Sequence, residues 1–276
     1  MLRTLSILAM IAASPVLAGE TVLTLDQGIA ATLAMPDGAG PFPAVLMLHG
    51  FGSSRDEVGG MYASAAAALA EAGIASLRID FRGFGKSDGD TGAHTVDRQN
   101  EDAAIGLAAL LATAGIDADR VGVLGFSFGG GAGIELAAAH PEEVQSLVVW
   151  SSVGDYDSDF LDSMGQATFD RAAAEGIVGL DLGWRTIALK QDFFASLATH
   201  DILAALAGWS GPFMTIAGSE DYYAVYPAQF LNAAPGTDKV ALVIEGADHI
   251  FHLFDPDLSS AAQVIAETVA RFAATL

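Results

Sequence analysis

Val121-Gly-Val-Leu-Gly125-Phe-Ser127-Phe-Gly129-Gly-Gly131 decides how this chain is read. A short apolar run leads to a serine with a glycine two positions either side, and an alanine-rich segment then runs to His140-Pro141. The order is strand, sharp turn, helix. A Gly-x-Ser-x-Gly turn in that context holds its serine in strained backbone, with the hydroxyl exposed above the carboxyl edge of a sheet. Gly125 and Gly129 follow from that geometry, because a Cβ at either would crowd the turn or hold the helix away from the strand. A serine hydroxyl is a poor nucleophile until an imidazole takes its proton and a carboxylate holds that imidazole in the right tautomer. Ser127 therefore requires a histidine and an acid from elsewhere in the chain.

The surrounding segments alternate strand with helix. Residues 21–25 and 29–35 read as a hairpin turned at Asp26-Gln-Gly28, and 44–48 is the continuous apolar run of a strand buried on both faces. His49-Gly50-Phe51-Gly52 follows, then a polar loop with Arg55, Asp56 and Glu57, a helix over 62–72 and a strand over 75–80. A turn-dense loop from Asp80 to Gly89 leads to a helix over about 95–114 and on to the serine strand. Strands are expected at 144–150, 212–217 and 239–244, and a helix over 259–276 closes the chain. Roughly sixty residues separate the first two of these strands, with helical pieces at 169–174 and 187–197. So long a stretch without sheet reads as a cap, placed at about 153–208.

For the base, His249 directly follows the last strand, where a loop can carry it over the sheet edge towards Ser127; His252 is the rival. His49, His94 and His140 have structural readings, and His200 falls late in the cap. Chain order Ser, Asp/Glu, His places the acid between Ser127 and His249. Asp221 in Gly218-Ser-Glu-Asp221 is chosen, with Glu220, Asp155 and Asp157 as alternatives; Asp248, adjacent to His249, reads as a loop-fixing residue. Backbone N–H groups of Phe128 and Phe51 are the candidate donors to a developing oxyanion.

Length and composition set the bounds. The 276 residues are 52% hydrophobic and 17% charged, sufficient for one large α/β domain. The formal charge is -22, with three lysines, which argues against nucleic acid as a partner. With no cysteine the chain has neither a disulfide framework nor a thiol nucleophile. Residues 1–18 give a positive start, a short apolar core and small residues before Ala18, so export with signal cleavage there, and no retained membrane anchor, is expected.

His49-Gly-Phe-Gly, Asp80-Phe-Arg-Gly-Phe-Gly-Lys-Ser-Asp-Gly, Gly125-Phe-Ser-Phe-Gly-Gly, Gly218-Ser-Glu-Asp and Gly246-Ala-Asp-His, in that order, resemble the α/β-hydrolase superfamily. The similar branch contains cinnamoyl and feruloyl esterases and serine aminopeptidase-like hydrolases. The resemblance implies an eight-stranded, mostly parallel sheet with helices on both faces and a helical cap. It also implies a Ser127, His249, Asp221 triad, oxyanion donors at Phe51 and Phe128, no cofactor or metal, and hydrolysis of a small-molecule ester through an acyl-enzyme. Tyr222, Tyr223 and Trp184, with Phe51, Phe128, Phe193 and Phe194, are the aromatic candidates for the substrate mouth. They point to short-chain or hydroxycinnamate-type acyl esters over long-chain esters and aminoacyl amides. The same triad would serve a peptidase or acyltransferase, and the same fold a silent binding protein.

Overall fold

The computed structural model describes residues 19–183 and 185–276, so the signal-sequence reading of residues 1–18 and the side chain of Trp184 lie outside the described residues. The first half runs β1 (Gly19–Thr24), β2 (Ala30–Met35), β3 (Phe42–Leu48), α1 (Met61–Glu71), β4 (Ala75–Ile79), α2 (Val96–Leu111), β5 (Ile116–Phe126), α3 (Phe128–Ala139) and β6 (Ser146–Trp150). Next come α4 (Tyr156–Met164), α5 (Gln166–Glu175), β7 (Ile177–Asp181), β8 (Thr186–Lys190), α6 (Gln191–Leu197) and α7 (Ile202–Ala207). The chain returns through β9 (Phe213–Gly218), α8 (Tyr226–Ala233), β10 (Lys239–Ile244) and α9 (Ala261–Thr275).

Eight strands form one sheet in the order β1-β2-β4-β3-β5-β6-β9-β10. Only the β1/β2 and β2/β4 pairs are antiparallel; the rest run parallel. Why β3 is continuously apolar is visible in its neighbours. Successive strand residues point to opposite faces, and here both faces are covered. Leu46 and Leu48 join the core cluster that also holds Ala103, Leu107, Ala132 and Leu136 of α2 and α3. Val45 and Met47 join a second cluster with Tyr62 and Leu69 of α1 and Val264 and Phe272 of α9. All four are fully buried. Helix α9 lies inward along Val264, Thr268 and Phe272, a four-residue spacing that keeps one stripe facing the sheet. Thr268 Oγ1 accepts from Trp150 Nε1 at 2.8 Å, satisfying the one polar group of a buried indole.

Between β6 and β9 the structure is helical, with one addition. Residues 187–190, expected as the start of a helix, are β8, paired antiparallel with β7. Val178, Ile187 and Leu189 are buried while Ile177, Gly179 and Thr186 are exposed, an alternation of period two. Positive-φ glycines at 176 and 183 mark the hairpin's entry and tip. Thr91 Oγ1 donates to Ala188 O at 2.8 Å and accepts from Ala188 N–H at 3.1 Å, tying the hairpin to the loop before α2.

Because β3, β5, β6, β9 and β10 are parallel, their carboxyl ends fall on one edge, where loops from different strands meet. The segments after β3, β5, β9 and β10 carry Phe51, Ser127, Asp221 and His249 respectively.

Candidate active site

Ser127 is the single residue between β5 and α3, with φ 54° and ψ −119°, a conformation costly for any side chain with a Cβ. Three backbone bonds hold it there. Its N–H donates to Trp150 O at 2.9 Å, and its carbonyl accepts from Gly130 at 2.9 Å and Val153 at 3.2 Å. The flanking glycines are needed for close approach. A Cβ at Gly125 would lie 2.3 Å from Gly129 O, and one at Gly129 would lie 2.2 Å from Leu48 O. The start of α3 thus sits directly against the ends of β3 and β5, and the serine is lifted into the cleft above them.

His249 Nε2 lies 3.1 Å from Ser127 Oγ, and Nδ1 lies 2.9 Å from Asp221 Oδ1. An ionised carboxylate only accepts, so Nδ1 carries the proton and Nε2 is left to accept from the serine hydroxyl. The Asp221 side chain is fully buried, and Oδ1 also accepts from Tyr223 N–H at 3.0 Å. Burial pushes this carboxyl up. The His249 hydrogen bond and charge and the Tyr223 N–H outweigh burial and hold it below the usual carboxylate value, so it stays ionised at neutral pH.

The other candidates are placed elsewhere. His252 turns back into its own loop, its Nε2 donating to Gly246 O at 2.8 Å. Asp248 Oδ1 accepts from the N–H groups of Ile250 and His252, fixing that loop. Asp155 caps α4 through Ser158 N–H at 3.1 Å, while Asp157 and Glu220 are exposed. His49 is buried, bonded through Nδ1 to Gly50 O and through Nε2 to Phe81 N–H, and burial pushes it down to about 4, so it stays neutral. His94 packs among Phe84, Phe128 and Phe193.

Among the described residues the N–H groups of Phe51 and Phe128 have no acceptor in the turn and loop hydrogen bonds. Both belong to segments bordering Ser127, and the Phe51 loop is braced by Glu57. That carboxylate is buried and accepts from Gly50 N–H, from Ser53 Oγ at 2.8 Å and from Val58 N–H at 3.0 Å. Burial pushes it up to about 7. Glu57 itself has φ 60°, unusual for a side chain of its size. The bonds it makes are what hold it there.

The serine and histidine open on a cleft of about 990 Å³. Its walls are Phe51 and Phe126 from the sheet edge, Phe160 and Met164 from α4, Leu180, Leu182 and Arg185 from the hairpin, and Tyr222, Tyr223 and Phe254 at the rim. Tyr222 stacks on the His249 ring with centroids 4.3 Å apart, and Tyr223 meets it edge-on at 5.4 Å. Phe128, Phe193 and Phe194 are buried in the core instead. Sequence reasoning missed Glu57, Phe160, Met164, Arg185 and Phe254. Of these only Glu57 left a signal, as an acid inside the loop after His49-Gly-Phe-Gly. Among the described residues no group of three or more His, Asp or Glu is placed to hold a metal ion.

Residues 39–178, just over half of the chain, match the family described as serine aminopeptidase, S33. The chain belongs to that family. Its members are α/β-hydrolases, and this chain has an eight-stranded, mostly parallel sheet. A 31.7 kDa Escherichia coli protein of the traX-finO intergenic region is 35% identical over 133 residues, which is 48% of this chain and 45% of that protein. The match thus spans less than half the length of that relative. Among solved structures, Est1E from Butyrivibrio proteoclasticus, with ferulic acid bound, aligns with a TM-score of 0.75 at 22% identity, covering 92% of this chain and 99% of Est1E. A dienelactone hydrolase from Anabaena variabilis aligns at 0.66 and 20%, covering 94% and 99%. At these identities the likeness is one of fold.

Proposed function

We propose that this hydrolase is a serine carboxylesterase acting on small esters with short or aromatic acyl groups. The observation that carries the reading is the continuous relay from Asp221 Oδ1 through His249 to Ser127 Oγ, at 2.9 and 3.1 Å, opening on a cleft. Ser127 Oγ attacks the ester carbonyl as His249 Nε2 takes its proton, and Asp221 holds the imidazolium that forms. The carbonyl oxygen, now an anion, accepts from Phe51 and Phe128 N–H, donors worth about 3 kcal/mol each in comparable sites. His249 then returns the proton to the departing alcohol, leaving an acyl-serine. Water, deprotonated by the same imidazole, releases the acid and restores Ser127.

The acyl preference is supported by the wall. Phe51, Phe160 and Tyr223 offer flat apolar surface, whereas Glu57, Asp181 and Arg185 interrupt the continuous greasy channel a long chain needs. That Est1E holds ferulic acid is in keeping with this choice. The family's description as serine aminopeptidase keeps a peptidase in view. An aminopeptidase needs a free carboxylate for the substrate's α-amino group; of the two acids in the cleft Glu57 is fully engaged, which leaves Asp181 alone for that role. We further propose export with cleavage after Ala18, checked by the intact mass of the protein recovered outside the cytoplasm.

Two measurements test the catalytic reading. A fluorophosphonate probe should label Ser127 in the wild type and leave Ser127→Ala unlabelled, with ester turnover in that variant down by at least about 10³. Values of kcat/KM across short-chain esters, hydroxycinnamate esters, long-chain esters and aminoacyl amides should favour the first two. No labelling at Ser127 would make the chain a silent binder, and preference for the amides would make it a peptidase.

A further inference from the structure

The cleft contains one lysine or arginine among its described lining residues, Arg185, at the tip of the β7-β8 hairpin. Its guanidinium lies 5.6 Å from the Phe84 ring centroid, and Nη1 donates to Gly52 O at 3.3 Å. The charged head is thereby held on the same wall as the Phe51 N–H, near enough for its charge to act on His49 beneath that loop.

Its lack of an anionic partner stands out in this chain, which has 34 acidic residues against 12 basic ones. Of the eight described arginines, six (Arg55, Arg78, Arg82, Arg120, Arg171 and Arg271) lie against carboxylates. Arg98 donates to Ala93 O. Arg185 has no carboxylate in ion-pair range among the described residues, although two acids share its cleft. Both are occupied. Glu57 takes three donors from its own loop, and Asp181 Oδ1 accepts from Gly183 N–H at 2.9 Å inside the hairpin turn. The Nε and Nη2 donors of Arg185 therefore have no partner among the described residues, on a half-buried side chain facing a cleft with apolar walls.

Resting on the esterase reading, we infer that Arg185 is a carboxylate-binding subsite, and that the ester this enzyme takes carries a carboxylate apart from its scissile bond. The planar fork of guanidinium donors matches the two oxygens of a carboxylate, and a charge-assisted pair formed in a partly desolvated cleft is stronger than one on the surface. One guanidinium offsets a single negative charge, and Glu57 and Asp181 on the same walls disfavour a second, which selects a carboxylate over a phosphate dianion. The group is bound in the Michaelis complex and takes no part in bond making. Arg185 is thus a specificity residue.

The test uses two matched pairs of aryl esters, in which a carboxylate or a carboxamide ends either the acyl chain or the aryl leaving group. The wild type should favour the carboxylate member of one pair by roughly tenfold or more in kcat/KM. In Arg185→Gln that ratio should collapse towards one, and Arg185→Lys, which keeps the charge and loses the fork, should fall between. Equal ratios in wild type and Arg185→Gln for both pairs would overturn the inference while leaving the esterase reading intact. Calorimetry with glutarate and glutaramate supplies an arm independent of turnover. Glutarate binding that is present in the wild type and lost in Arg185→Gln supports the subsite even where no ester is hydrolysed; equal binding of the two ligands, or none of either, overturns it.

Discussion

The turn around Ser127 and the β7-β8 hairpin both border the cleft, and they are held by different physics. At the turn, backbone meets backbone: Cβ atoms at Gly125 and Gly129 would stand 2.3 and 2.2 Å from carbonyl oxygens. At the hairpin, Cβ atoms added at Gly179 and Gly183 would meet nothing within 4 Å, and the pair is held by the burial of Val178, Ile187 and Leu189. Close backbone approach admits one residue type. Side-chain burial admits any apolar residue of about the right size. The first region therefore dictates its sequence and the second does not, and the site is divided the same way, with the proposed chemistry on the rigid edge and selection of substrate on the permissive wall.

The sharpest test of that division lies in the relay. Asp221→Asn should reduce kcat by roughly 10³ to 10⁴, because an amide at this position favours the wrong His249 tautomer. Asp155→Asn, at the α4 N-cap, should leave kcat alone, since asparagine caps a helix about as well as aspartate. If kcat instead collapsed in Asp155→Asn and survived in Asp221→Asn, the acid would lie on the cap side of the cleft and the contrast would be inverted.

What was legible follows the same physics. The glycines of Gly-x-Ser-x-Gly and the apolar runs of the doubly covered strands are imposed by backbone approach and burial, and parallel topology brings the segment after β10 to the serine's edge, so these can be read from residue order alone. The β8 strand was read as helix because Ile187, Ala188 and Leu189 suit either state, and only the burial of alternate residues of the hairpin against α5 and α6 decides between them. Phe160, Arg185 and Phe254 reach the cleft by tertiary packing from segments with no motif of their own. Among the mouth aromatics, Phe193 and Phe194 went to the core because α6 turns them inward, which their spacing in sequence does not reveal.

Stability offers the next contrast. In Gly129→Ala the new methyl would meet Leu48 O at 2.2 Å and His49 O at 2.4 Å, backbone atoms of a central strand end that have nowhere to go. A loss of about 3 kcal/mol or more in urea unfolding is expected, or failure to fold. A variant with wild-type stability would show that α3 can slide away from β3, and the rigid half of the comparison would fail.

Glu57 should give a smaller effect with a distinctive pH signature. Its carboxyl is pushed from an ordinary value of 4.5 up to about 7, chiefly by burial and against the bonds from Gly50, Ser53 and Val58. The folded state therefore holds this proton more tightly than the unfolded chain does. The contribution to stability is fully present below about 4.5 and is lost as pH rises through about 7. Glu57→Gln cannot titrate, so Tm of the variant relative to wild type should rise between pH 5 and pH 8. A flat difference across that range would mean that the carboxylate is fully compensated by its three donors.

The smallest effect should come from the hairpin. Gly179 lies in the middle of β7 opposite Ala188, exposed, with φ outside the left-handed region and no atom within 4 Å of where a Cβ would stand. Gly179→Ala removes backbone freedom from the unfolded chain and introduces no clash, so stability should change by no more than about 0.5 kcal/mol, in the stabilising direction. The cleft should keep its selectivity, because β7 presents Leu180 and Asp181, not residue 179, to the substrate side. A destabilisation comparable to that of Gly129→Ala would place a packing partner against this face of the hairpin. The cap would then be as constrained as the serine turn, and permissive packing would no longer explain why its sequence was hard to read.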